Sequence, residues 1–155
     1  MNKKQSAGIL MYRLINDAIE FFLVHPGGPF WKNKDKGSWT IPKGEFADDE
    51  QPLSAARREF EEETGFAPEG KFIPLTAVKQ KSGKLVHAWA CEGNLDASKI
   101  ISNTVTIEWP PKTNKKLTFP EVDRGEWFAI KDALEKINDA QKNFLRELII
   151  ILEKK

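Results

Sequence analysis

Residues 58 to 66 read REFEEETGF, and four of the five positions from Glu59 to Glu63 are glutamate. Like charges three or four apart on a helix repel each other by a few tenths of a kcal/mol per pair. A chain that crowds them either leaves them solvated on an outer face or gives them a shared partner. Carboxylate oxygens suit hard divalent cations, and Mg2+ combines a few carboxylates with waters and substrate phosphate oxygens. A bound cation would relieve the repulsion, so cation-assisted chemistry is the sharper of the two readings.

Spacing on a helix separates them. At about 100° per residue, with Glu59 at zero, Glu63 falls near +40° and Glu62 near −60°. The small Ala55 lies one turn below this acidic face. Leu53, Ala56 and Phe60 form an apolar stripe beside it, and Glu61 points away. Most glutamate runs are solvated faces, but here the acidic face borders the apolar stripe instead of lying opposite it. Arg58 stands four residues before Glu62, at the spacing for an ion pair. The turn Pro42–Gly44 can bring backbone to the same spot.

The elements that position these groups follow from periodicity. AGILMYRL and IEFFLVH read as a hairpin turning at Asn16-Asp17. HPGGPFWKNKDKGS is a loop, and WTI is a short apolar run ended by Pro42. The period then changes to that of a helix, with Asp48 and Asp49 as start signals, Pro52 in the first turn and Gly65 as the stop. FIPLTAVKQ, the turn KSGK and LVHAWACEG predict a second hairpin. TVTIEW and GEWFAI predict two more strands around the loop PPKTNKK. From about Lys131 the chain is helical, with a re-cap at Asn138 or Asp139. Strands with one helix in the middle and one at the end predict an α/β layer fold.

Composition narrows the function. The chain has 155 residues, 24 Lys+Arg against 23 Asp+Glu, and one cysteine. That length suits a single domain over residues 1–155. The charge balance argues against a nucleic acid polymer as partner, because such proteins carry a marked basic excess. There is no signal-like segment and no apolar run long enough for a membrane span, so no membrane partner is expected and the expected location is cytoplasmic. A lone Cys91 fits a reducing compartment. The chain is expected to be a monomer or homodimer.

Gly44, Glu50, Arg58-Glu59-Phe60, Glu62-Glu63 and Gly65-Phe66 together resemble the Nudix box at every defined position. A chance match at seven fixed positions is on the order of one in 10⁸ per start point, so coincidence is set aside. The box spans Gly44–Phe66, and the flanking strands and terminal helix also resemble the Nudix α/β/α sandwich, a mixed sheet between the Nudix helix and a C-terminal helix. WTIPKGE is similar to the segment preceding the box in the diadenosine tetraphosphate hydrolase branch and in diphosphoinositol phosphate hydrolases. HPGGPFW, SNTVTIEWP and FPEVDRGEWF are similar to a group of small bacterial Nudix proteins.

The resemblance implies hydrolysis of a nucleoside diphosphate linked to another group, with Mg2+ as cofactor and Mn2+ as substitute. It implies that Glu59, Glu62 and Glu63, with the Gly44 carbonyl, are metal ligands, that Glu62 and Glu59 are catalytic, and that Arg58 orients the glutamates. Glu50 would be an outer residue near the helix start. Glu121 is the candidate general base from a later loop, with Asp123 and Glu126 as competitors. Lys43 is the candidate phosphate contact, with Lys32, Lys34 and Lys36 as further loop lysines. Trp39 and Trp31 are candidate base platforms, as are Phe30 and Trp109, since aromatic faces stack on any base. His25 and His87 read as packed side chains. The favoured substrate is a dinucleoside polyphosphate. The alternatives are modified nucleoside triphosphates or nucleotide sugars, and a nucleotide-sensing Nudix domain without catalysis.

Overall fold

Alternation along the first hairpin decides which layer covers each face of the sheet. The computed structural model describes residues 4–154, so Met1–Lys3 and Lys155 of the expected domain lie outside the described residues. Strands β1 (Gln5–Ile15) and β2 (Ala18–Pro26) pair antiparallel. Their turn places Asn16 and Asp17 at φ 51° and 67°, the left-handed pair that a two-residue hairpin of matching twist requires. Ala7, Ile9, Met11, Phe22 and Val24 point to one side and Leu10, Tyr12, Phe21 and Leu23 to the other.

The first side is covered by helix α1 (Pro52–Thr64) through Ala55, Ala56 and Phe60. The second is covered by α2 (Ile130–Lys136) and α3 (Lys142–Glu153) through Ala133, Phe144, Leu145 and Leu148, together with Ile137 just past the end of α2. Between them lie β3 (Lys43–Glu45), β4 (Phe72–Lys79), β5 (Leu85–Glu92) and β8 (Val122–Ala129), in the order β4-β5-β1-β2-β8 with β3 beside β1. β1 and β5 run parallel and the other pairs antiparallel. The fold is an α/β/α sandwich on a mixed sheet, as expected.

Strands β6 (Thr104–Glu108) and β7 (Lys116–Pro120) form a separate two-stranded ribbon. The sequence pattern leaves β7 unassigned and starts β8 too late, because the alternation in KLTFP rests on Leu117 and Phe119 alone and stops at Pro120. The helix start also moves. Glu50 N–H closes a turn on Ala47 O at 3.0 Å, so Asp48 and Asp49 stand before the helix, which begins at Pro52 with no side-chain cap. Gly65 ends it as expected, at φ 80° with its N–H donated to Glu61 O. Asn138 is the re-cap, accepting from Ala140 N–H at 3.0 Å.

One irregularity makes room for a site. β2 pairs with the Tyr12–Ile15 half of β1, while β3 pairs with its Ser6–Gly8 half. The two partners part company between these halves. The segment joining them meets these strands through single bonds, Val24 with Thr40 in both directions and Ile9 N–H to Pro42 O at 3.2 Å.

Candidate active site

α1 carries the glutamates because its apolar stripe fixes its rotation. Phe60 is fully buried against Phe22, ring centroids 6.2 Å apart. That rotation buries Glu59 and Glu63 toward the sheet and leaves Glu61 and Glu62 exposed. Glu59 lies directly against the Gly44 turn, where a Cβ on residue 44 would fall inside its carboxylate.

Arg58 gathers three carboxylates. Its Nε and Nη2 donate to the two oxygens of Glu50, each at 2.9 Å, while Nη1 donates to Glu59 Oε1 at 2.9 Å and Glu62 Oε1 at 3.2 Å. The fork geometry suits bidentate carboxylate binding. These bonds hold the Arg58 guanidinium firmly charged and the Glu50 carboxyl below the usual range.

Glu63 is different. Burial, then the charges of Glu121 and Glu59, push its carboxyl well above the ordinary glutamate range, with only Lys43 opposing. Glu59 is also raised, by burial first and by Glu62 second, against Arg58. Lys43 is half-buried, and burial followed by the Lys84 charge lowers its ammonium, while Glu63, Glu121 and Glu45 pull it back. Glu63 and Glu59 therefore resist ionisation, chiefly because they are buried.

A cleft of about 880 Å³ opens beside this group. Lys43, Glu63 and Glu121 line it together, with Trp31 and Thr40 on one wall and the turn carrying Lys79 and Lys81 on another. Glu121 sits between β7 and β8, and its place relative to α1 is set by backbone. Its N–H donates to Asn103 O at 2.9 Å, and Asn103 N–H donates to Glu62 O at 2.8 Å.

Several expected site residues lie elsewhere. Trp39, expected as a base platform, is 1% exposed. Its indole N–H donates to Asp35 Oδ1 at 2.8 Å and its ring packs on Phe128 at 5.0 Å, so no face is open to a base. Lys32 is on the exposed loop and does not line the cleft, and neither do Lys34 and Lys36. Asp123 is paired with His25 Nδ1 at 2.9 Å, and Glu126 is exposed on β8. Phe30 and Trp109 meet edge-to-face at 4.8 Å outside the cleft. Sequence reasoning missed Thr40, Gln141 and the Lys79–Ser82 turn, which line the cleft but carry no local motif.

The donor set fits a hard divalent cation in chemistry. Its candidates are carboxylates and the Gly44 carbonyl, at a glycine whose missing Cβ makes room for the Glu59 carboxylate. It is not a preformed cage. Among the described residues, no three His, Cys, Asp or Glu side chains stand grouped to hold a metal ion. Arg58 occupies oxygens of Glu59 and Glu62 instead.

Comparison with known proteins agrees with this geometry. The NUDIX domain pattern matches residues 4–148. An octanoyltransferase of Myxococcus xanthus is 31% identical over 101 residues, 65% of this chain and 25% of that protein, so the chain spans a quarter of its length. An Ap4A hydrolase of C. elegans, solved as a binary complex, superposes with a TM-score of 0.67 at 22% identity, over 98% of this chain and 99% of that one. The NUDIX domain of NrtR from Shewanella oneidensis, solved with ADP ribose, gives 0.67 at 15% identity, over 98% and 90%. Likeness at these identities shows a shared fold. The family match over residues 4–148, nearly the whole chain, shows that the chain belongs to the NUDIX domain family.

Proposed function

We propose that this chain is a Mg2+-dependent pyrophosphohydrolase of a dinucleoside polyphosphate, cleaving diadenosine tetraphosphate to ATP and AMP. It would act as a single domain over residues 1–155, in the cytoplasm. The observation that carries the reading is the cleft, which acidic groups and cations line together. Glu63 and Glu121 face it beside Lys43, while Lys79 and Lys81 line a further wall. A cleft of about 880 Å³ is near the upper end of small-molecule sites, which suits two nucleosides joined by several phosphates better than a compact triphosphate.

Glu59, Glu62, Glu63 and the Gly44 carbonyl would hold the cation. Bound there, it supplies neutralisation of phosphate charge and a lower pKa for water. The chain's own groups do the rest. Arg58 holds Glu59 and Glu62 in register for that task. Glu121 accepts the proton of the attacking water on its carboxylate. Lys43 meets the phosphate that leaves, and Trp31 offers a partly exposed ring to a base.

The test is a substrate panel with Mg2+ or with chelator. Diadenosine tetraphosphate should exceed nucleoside triphosphates and ADP-ribose by at least ~10-fold in kcat/KM, about 1.4 kcal/mol of transition-state discrimination. Equal turnover of a triphosphate or nucleotide sugar would replace the substrate assignment. Retained nucleotide binding with no turnover of any member would point to a sensing domain.

A further inference from the structure

Between Trp39 and Pro42 the chain crosses the gap where β2 and β3 part, and ordinary strand pairing runs out. Trp39 N–H still finds Lys136 O at 3.0 Å and Thr40 N–H finds Val24 O at 3.0 Å. Ile41 N–H is bonded to the Oε1 of Gln141, at 3.0 Å. Gln141 Nε2 donates to Thr40 Oγ1 at 2.9 Å, and that hydroxyl donates on to Ile41 O at 2.8 Å. A single amide thus brackets Thr40 and Ile41 as a neighbouring strand would. Gln141 itself has no exposed surface, and it stands at the start of α3, some hundred residues away in sequence.

A buried amide is held in the core only when its polar atoms are satisfied, because an unmet one costs about 1–3 kcal/mol. An apolar side chain of the same length would fill this space but leave the buried Ile41 N–H without its acceptor. Its retention here makes sense if the segment it grips must be held in register. That segment leads through Pro42 directly to Lys43 and Gly44. We infer that Gln141 is the positioning residue of the Pro42–Gly44 turn, setting where the Gly44 carbonyl and the Lys43 side chain stand relative to α1. The assignment deepens the reading above and rests on it for the roles of Gly44 and Lys43. It also makes the residue that opens α3 part of the catalytic frame.

The test uses the full chain with Gln141→Met, which keeps the length and removes both hydrogen bonds, and Gln141→Glu, which keeps an acceptor for Ile41 N–H. Amide hydrogen exchange is read well below the unfolding temperature, residue by residue. Gln141→Met should speed exchange at Ile41, Lys43 and Gly44 by at least ~10-fold while amides of the β4–β5 hairpin stay as in the parent, the signature of local opening. Mn2+ affinity, read by electron paramagnetic resonance, should weaken several-fold, and Gln141→Glu should restore protection at Ile41. If Gln141→Met lowers Tm but leaves exchange at residues 41–44 and Mn2+ affinity unchanged, Gln141 is an ordinary core residue and the inference fails. Should Gln141→Met not fold, Thr40→Val, which removes only the hydroxyl link, is read in the same way. The exchange arm needs no substrate, so failure of the diadenosine tetraphosphate assignment shows only in the turnover panel.

Discussion

The carboxylate of Glu59 occupies the space that a Cβ on Gly44 would fill. Helix and turn are therefore in contact across a missing methyl group. Gly44→Ala must push one of them away. The expected result is a loss of kcat of at least ~100-fold, about 2.7 kcal/mol, with a stability loss of about 1–3 kcal/mol from overpacking. Steady-state kinetics and a denaturant melt on one preparation check both.

Glu62 and Glu61 are neighbours with opposite expected fates. Both are exposed, but Glu62 is bonded to Arg58 with the other box carboxylates. Glu62→Gln should lower kcat by orders of magnitude with an unchanged fold, and Glu61→Gln should do little. A loss at Glu62 below ~10-fold, about 1.4 kcal/mol, would remove it from the ligand set.

The buried carboxyl of Glu63 sets a pH dependence. Its folded pKa lies above the ordinary value of 4.5 because burial and the charges of Glu121 and Glu59 disfavour ionisation. A group whose proton the folded chain holds more tightly stabilises below its unfolded value and loses that contribution as pH rises through the folded value. Metal-free protein should therefore lose stability from about pH 4.5 upward. A divalent ion, which competes with the proton, should raise Tm more at pH 8 than at pH 6. Glu63→Gln should flatten the metal-free profile and abolish the metal-dependent rise, both visible in thermal melts.

Trp39 and Trp31 separate stability from binding. Trp39 is enclosed and bonded to Asp35, so Trp39→Ala should cost about 3–5 kcal/mol of stability. Trp31 is 37% exposed and lines the cleft. Trp31→Ala should raise KM for a dinucleotide by about 1–3 kcal/mol in binding terms, the scale of one base–aromatic stack, while Tm stays near that of the parent.

What could be read in advance follows from the range of the interactions. α1 was legible because its stripe, its stop glycine and its acidic face are all written within a few residues of one another. The first hairpin was legible because Asn16-Asp17 sits between two alternating runs. The exposed stretch around Lys116–Pro120 was not, since two apolar residues, Leu117 and Phe119, between a loop and Pro120 make too short a period to mark a strand. Trp39 misled because a tryptophan in a lysine-rich loop looks the same whether it faces solvent or is roofed by Asp35, Phe128 and His25. Gln141 was invisible because its partners Thr40 and Ile41 are distant in the chain, and a single glutamine carries no periodic signal.

The β6–β7 ribbon leaves the body of the protein at Asn103 and comes back at Glu121, and those two residues are hydrogen-bonded to each other. Between them the ribbon touches the body again, where Trp109 packs edge-to-face on Phe30. Lengthening, shortening or re-tipping it would leave the suspected base where it stands relative to the glutamate helix. The ribbon tip can therefore change in length without shifting Glu121 against α1.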